Sequence, residues 1–324
     1  MPTEISCAFT PGLDTPDHIV LAEQLGYRRA WCYDSPLLYA DVWVTLARAA
    51  ERTSRIGLGP GVLVPSLRHV LTNAAVLATL AALAPGRVVA GVGAGLTGRL
   101  ALGQRPLPWA EVAAYVRALR ALLRGEEVEW EGAVLRLGHP PGFAPPRPIE
   151  VPLIVAAQGP KGRAVAREVG DGLFAVGPAG DFPWVAEILF GTVLADGEDP
   201  GSERALAAAG HAAAIFYHAT YHGRGWGDVA ALPGGVAWRE RAEAAPARTR
   251  HLAVWDNHLV GLNGLDQGGV TGEVLGALGV AQDADGWRAR LAASERAGVT
   301  EIVYQPAGPD IERELTTFAR VAGL

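Results

Sequence analysis

The chain has 324 residues, 49% of them hydrophobic and 19% charged, with a formal net charge of −6 and an isoelectric point near 5.8. That acidic balance, with no basic block anywhere, argues against a nucleic-acid or anionic-membrane surface, and no apolar run reaches the roughly 18 residues needed to span a bilayer. The opening MPTEISCAFTPG carries neither a basic nor an apolar leader segment, so a cytoplasmic protein is expected.

In chain order, the apolar run Glu4 to Phe9 reads as a first strand. A helix then begins at Asp17, carries Ile19, Ala22 and Leu25 on one face, and stops at Gly26. Arg28 to Tyr33 reads as a second strand, followed by a helix that Asp41 caps, with Val42, Leu46 and Ala50 inward. Cys7 and Cys32, the only cysteines, fall in these two strands and read as small buried hydrophobes, not as a disulfide framework. Arg55 to Val64 and Arg87 to Val92 form a third and a fourth strand around the apolar helix Val70 to Leu83. Strand, helix, strand in one sheet implies parallel strands and a right-handed crossover.

Trp109 to Arg124 places Val112, Val116, Leu119 and Leu123 on one stripe, with Arg117, Arg120 and Arg124 outward. A hairpin follows (Val128 to Trp130 and Val134 to Leu137), then the extended PPGFAPPRP. Further strands are expected at Val151 to Ala157, Gly172 to Val176, Gly191 to Ala195 and Val299 to Gln305. An Ala-rich helix near Ser202 to Tyr221 and two loops, GRGWGDVAALPGG and HLAVWDNHLVGLNGLDQGG, separate the last two strands. Helices at Asp285 to Ala297 and Pro309 to Ala319 complete the set.

Eight strands alternating with helices predict an α/β fold, a single (β/α)8 TIM-type barrel over residues 1–324. The hairpin and Pro-rich segment, residues 125–151, is an insertion after strand four. Residues 196–282 form a cap after strand seven, since neither piece could bury a core of its own. The rival is a doubly wound open sheet, but GVGAG lacks the full GxGxxG pattern and no helix begins at once after it.

In a β/α barrel the active site lies at the C-terminal ends of the strands. That filter selects Thr10-Pro11, Asp34-Ser35-Pro36, Gly61 to Pro65, Gly93-Ala94-Gly95, Gln158 to Gly162, Gly177-Pro178 and Gln305-Pro306. Three glycines around Val92 leave backbone N–H groups open to a ligand. The strongest local signal is Ala156-Ala157-Gln158-Gly159-Pro160-Lys161-Gly162, which feeds a helix carrying Val165 and Val169. Such a helix start offers unpaired N–H groups and the positive end of the dipole to a phosphate. Lys161 is the sole lysine of an arginine-rich chain, and the alternative is a solvated helix-start residue.

These pieces resemble the luciferase-like superfamily of flavin and deazaflavin (F420) oxidoreductases. AAQGPKG followed by AREVGDGLF looks like the phosphate-binding loop and next helix of its F420-dependent methylenetetrahydromethanopterin reductase branch. LGPGVLVP is similar to that branch's third strand, where a non-prolyl cis peptide backs the cofactor ring; the matching bond is Gly61–Val62. The match runs over roughly Ile5 to Val176 and returns at Gly298 to Leu324. The resemblance implies cofactor contacts from Asp34, Gly61, Val62, Gly93, Ala94, Gly95, Ala157, Gln158, Gly159, Pro160 and Lys161, and F420 ahead of FMN as the cofactor. Arg68, Arg99 and Arg163 are candidates for the longer acidic tail of F420. Many relatives have Asp-His where this chain has Asp34-Ser35, so proton management is expected from Asp34, His69 or His258, with Asp34 and His258 the catalytic candidates.

Two mechanisms compete, hydride donation by reduced F420 to an imine, iminium or activated alkene, and oxygenation through FMNH2 and dioxygen. A flavin-binding protein without turnover is the reading of another class. His211, His218 and His222 share one helix face but have no matching carboxylate, so no metal is expected. No GxSxG or Cys–His signature points to hydrolysis. The expected partners are a small-molecule substrate and a second copy in a homodimer, for which the apolar helix Val70 to Leu83 is suited.

Overall fold

The computed structural model describes residues 3–177, 179, 182–222 and 228–324. Pro178 and residues 223–227, the start of the Gly/Trp-rich loop, lie outside the described residues. The strands are β1 (Glu4–Phe9), β2 (Arg29–Cys32), β3 (Gly57–Pro60), β4 (Ala90–Gly93), β5 (Val128–Trp130), β6 (Ala133–Leu135), β7 (Leu153–Ala156), β8 (Gly172–Ala175), β9 (Val185–Phe190), β10 (Thr192–Val193), β11 (Ala281–Gln282) and β12 (Glu301–Gln305). The helices are α1 (Thr15–Leu25), α2 (Val42–Ala50), α3 (Val70–Leu83), α4 (Leu96–Leu100), α5 (Trp109–Arg124), α6 (Pro160–Val169), α7 (Glu203–Tyr221), α8 (Gly235–Ala244), α9 (Arg250–Val254), α10 (Gly272–Ala277), α11 (Ala284–Arg296) and α12 (Ile311–Ala322).

Eight strands form one sheet in the order β3-β2-β1-β12-β9-β8-β7-β4. Its two ends meet through the parallel bridges Leu58–Val88 and Leu63–Val92, which nearly close it. This is the (β/α)8 TIM-type barrel expected from the alternation, and the open sheet is excluded. The ladder is in register across the mouth: Cys32 lies beside Pro60, and Gly93 beside Ala156. Parallel pairing therefore brings the residues after these strands to one end.

The chain divides into two compact units. The first comprises residues 1–96, 106–188 and 294–303. Trp31 packs edge-on against Phe174, with ring centroids 5.3 Å apart, and lies 6.2 Å from Trp184. The carboxylate of Glu301, fully buried, accepts from Trp31 Nε1 at 3.0 Å, Trp184 Nε1 at 2.7 Å and Arg29 Nη1 at 3.0 Å. A buried carboxylate is tolerated when its oxygens have donors, and the two indoles and the guanidinium supply one to Oε1 and two to Oε2. Cys7 and Cys32 are buried free thiols, as expected.

The second unit comprises residues 97–105, 189–293 and 304–324. It holds helices α7 to α10 and the short parallel pair β10–β11, in which Thr192 lies beside Ala281 and Val193 beside Gln282. Here the structure departs from the expected seventh strand. The barrel strand is β9, Val185–Phe190, and not Gly191 to Ala195. Glu187 interrupts the apolar run in sequence yet is buried, and Gly191 takes φ +133°. A Cβ at Gly191 would lie 2.0 Å from the Val280 carbonyl oxygen, so that glycine ends one strand and admits the next segment. The Ala-rich helix expected near Ser202 to Tyr221 is α7, and Ser202 caps it, its hydroxyl accepting from Ala205 N at 3.1 Å.

Candidate active site

Asp34 follows β2 by two residues and is 4% exposed. Arg68 Nη1 lies 2.5 Å from each of its carboxylate oxygens, and Arg68 Nη2 lies 2.7 Å from Asp41 Oδ2. Asp41 also caps α2, its Oδ1 accepting from Trp43 N at 2.9 Å and Val44 N at 3.1 Å. Burial pushes the Asp34 carboxyl up from the ordinary aspartate value, and the Arg68 bond and charge pull back against it. Arg68 is itself anchored, because Tyr115 Oη donates to its carbonyl at 3.2 Å while accepting from Asn73 Nδ2 at 2.7 Å. Trp43 Nε1 donates to Asn73 Oδ1 at 3.1 Å. Burial raises the Tyr115 phenol to about 12, so it keeps the proton it donates. The expected use of Arg68 as a free tail-binding cation gives way to this double carboxylate pairing.

The Gly61–Val62 peptide is cis. A Cβ on Gly91 would lie 2.6 Å from Val62 Cγ1, and one on Gly93 would lie 2.8 Å from Val62 Cγ2. Both glycines therefore make room for Val62, a packing role that reading them as open to a ligand did not include. Gly95, at φ +82°, occupies backbone space that only glycine takes at low cost.

Gly159 caps α6 with φ −88° and ψ 167°, with Pro160 in the first turn and no side-chain cap bond. The first amides of a helix have no partner within it, and Lys161 N–H and Gly162 N–H are of this kind. Gln158, Gly159, Pro160 and Lys161 are exposed, whereas Ala157 and Gly162 are buried. A Cβ at Gly162 would lie 2.4 Å from the Trp109 ring, so the helix start is pressed against α5. A Cβ at Gly159 would meet nothing within 4 Å. Space, directed amides and one cation suit a phosphate.

His69 sits at the start of α3, its Nδ1 accepting from Leu71 N at 3.2 Å, and its ring meets Trp130 edge-on. It is a backbone-bonded structural histidine. His258 belongs to the second unit and is 4% exposed. Its Nδ1 lies 3.0 Å from His218 Nδ1, and its Nε2 lies 3.2 Å from Thr97 Oγ1. His218 Nε2 in turn lies 3.1 Å from Asp266 Oδ1. Burial, then the nearby His218 and His211, hold His258 well below the usual histidine value. Sequence reasoning missed Thr97, His218 as a partner of His258, and Asp266, since the chain carries no periodic signal linking them. Among the described residues no group of three or more His, Cys, Asp or Glu is arranged to hold a metal.

A groove lined by Arg117, Arg120, Arg124, Glu168 and Asp171 opens at the other end of the strands, where α5 ends and β8 begins. Arg117 pairs with Glu168 and Arg120 with Asp171, so these arginines neutralise local carboxylates.

Residues 11–301 match the family model described as luciferase-like monooxygenase. The chain is 34% identical over 195 residues to the F420-dependent glucose-6-phosphate dehydrogenase of Intrasporangium calvum, covering 53% of this chain and 56% of the relative. It is 32% identical over 167 residues to the 5,10-methylenetetrahydromethanopterin reductase of Methanolobus tindarius, covering 50% of each. The matched region thus spans about half the length of these curated relatives. Among solved structures, the coenzyme F420 dependent tetrahydromethanopterin reductase from Methanopyrus kandleri superposes with a TM-score of 0.66 at 19% identity, covering 99% of this chain and 98% of that one. The oxygenating constituent of 3,6-diketocamphane monooxygenase from Pseudomonas putida, in complex with FMN, gives 0.57 at 14% identity, with coverage of 99% and 98%. At such identities what is shared is the fold.

Proposed function

Because the chain belongs to the luciferase-like monooxygenase family, we propose that it is an oxidoreductase that works with reduced F420 on a small imine, iminium or activated alkene. The observation that carries this reading is the uncapped start of α6, where Gly159 leaves open space beside the exposed Lys161. It coincides with sequence relatives that are named F420-dependent enzymes. Bound F420 would supply the hydride. Lys161 and the amides of Gly159, Lys161 and Gly162 would hold its phosphate, with Ala157, Gln158 and Pro160 shaping the loop. Gly61, Val62, Gly93, Ala94 and Gly95 would back the ring. Asp34, kept at the barrel mouth by Arg68, would position the reacting groups and manage a proton, and His258 would serve as an acid–base group. Ser35 offers no imidazole, which is why these roles fall to other residues. The reading includes one luciferase-like domain over residues 1–324 with inserts at 125–151 and 196–282, a homodimer and a cytoplasmic location. No helix among the described residues is long and apolar enough to cross a membrane.

The test is equilibrium binding of oxidised F420 and FMN to the purified protein, followed by turnover with each reduced cofactor. F420 is expected to bind more tightly, with F420H2 consumed only when an acceptor is present. Preferred FMN binding with substrate-linked oxygen consumption would assign a monooxygenase instead, and binding without turnover a non-catalytic flavin protein.

A further inference from the structure

We infer that Thr97, His258, His218 and Asp266 form a proton relay through the second unit, opening to the outside at the Thr97 hydroxyl. Asp266 is fully buried, and three donors converge on it. His218 Nε2 and Trp238 Nε1 reach Oδ1 at 3.1 and 2.9 Å, and Asn263 N reaches Oδ2 at 3.1 Å. Burial works against its charge, but the hydrogen bonds from His218, Trp238 and the Asn263 amide outweigh it and hold Asp266 below the usual range. An ionised carboxylate only accepts, so His218 must carry its proton on Nε2.

That one constraint sets the rest of the chain. A neutral His218 presents a lone pair at Nδ1, so His258 Nδ1 must donate across the 3.0 Å gap. His258 Nε2 is then the acceptor, and Thr97 Oγ1 donates to it at 3.2 Å. His218 and His258 are 1% and 4% exposed, whereas Thr97 is half-buried. Trp255 meets His258 edge-on at 4.5 Å and His218 at 5.7 Å, and Trp238 lies 6.1 Å from His218. The imidazoles are thus walled by indoles, and Thr97 is the least buried member of the chain.

The same three contacts survive a one-proton change, with the Thr97–His258 and His258–His218 bonds reversed in polarity and His218 Nε2–H still donating to Asp266. A proton taken up at Thr97 passes as His258 Nε2–H, the His258 Nδ1 proton moves to His218 Nδ1, and His218 becomes an imidazolium beside the Asp266 carboxylate. Running backwards, the chain returns that proton through Thr97 and leaves both histidines neutral. No group loses its partner in either state, so neither state has an unsatisfied member. Adding hydride to an imine or activated alkene leaves one proton to be supplied, and this relay is built to supply it. That use rests on the hydride-transfer reading above, whereas the relay itself does not. Thr97 lies two residues beyond Gly95 in the chain. Asp266 is the positioning residue, and His258 and His218 are the proton carriers.

The test is NMR of the full chain with 15N-labelled histidine. His218 is expected as the Nε2–H tautomer and His258 as the Nδ1–H tautomer. Exchange of the His258 Nδ1 proton with water should slow on the order of 10²-fold in Thr97→Val, the scale of losing a positioned proton-transfer group, and Thr97→Ser should restore it. A purely structural chain of hydrogen bonds would give the same tautomers but exchange that ignores both variants, and that result overturns the relay. The opposite tautomer at His258 overturns it as well. Titrating the unlabelled protein with F420 keeps the two ideas apart. Absent binding with Thr97-dependent exchange removes the cofactor reading alone, and normal binding with Thr97-independent exchange removes the relay alone.

Discussion

Asp34 is almost dry and owes its charge to one guanidinium, and that dependence sets what its removal does. Asp34→Asn keeps the shape and one acceptor oxygen while Arg68 retains Asp41, so the loop is expected to hold. Turnover with F420H2 should fall by roughly 10² or more, the scale of lost acid–base help, with F420 affinity changed much less. Full activity in steady-state assays would remove Asp34 from the mechanism. At the phosphate loop two substitutions separate directional bonds from charge. A Cβ at Gly159 meets nothing within 4 Å and φ is −88°, so the backbone admits Gly159→Val, whose bulk falls where a bound anion would lie. Lys161→Ala removes an exposed, screened cation worth about 1 kcal/mol or less. Fluorescence titration with F420 should therefore show the larger loss for Gly159→Val, and unchanged affinity in that variant would move the phosphate elsewhere.

Helix α7 carries a second buried imidazole, His211, whose two ring nitrogens have no hydrogen-bond partner among the described residues. Burial lowers it from 6.5 to about 4. Because the folded value lies below the unfolded one, the unfolded chain binds more protons between them. Stability from this site is complete above pH 6.5 and is lost as pH falls towards 4, by roughly 3 kcal/mol in all. His258 shifts in the same direction and adds to the slope. His211→Leu should leave the protein at least as stable at pH 7 and flatten, without abolishing, the fall in urea midpoint between pH 6.5 and 4. An unchanged slope would show that His211 is solvated. The elements themselves were unevenly legible. Helix α5 runs over Trp109–Arg124 as its apolar stripe predicts, and Asp41 caps α2 as its position before Val42 predicts. Strand β9 was hidden because Glu187 breaks its pattern, and burial of that carboxylate is a tertiary event.

At the scale of the whole molecule, periodicity and turn residues determined the barrel. Alternating strands and helices can close into few architectures, and a β/α barrel places its loops' chemistry at the C-terminal strand ends. The sequence by itself therefore determined the fold, the mouth around Asp34 and the phosphate-loop candidate. The cis Gly61–Val62 bond came from family resemblance, and the structure bears it out. Tertiary structure alone decided which groups meet. Arg68 pairs with a carboxylate 34 residues away, Gly91 and Gly93 yield space to Val62, and Thr97 reaches His258 across 161 residues. The reason is physical. Hydrophobic period and backbone propensity are local and repeat along the chain, so they can be read in one dimension. A hydrogen bond between two side chains depends on a few tenths of an ångström set by the packing of everything around them.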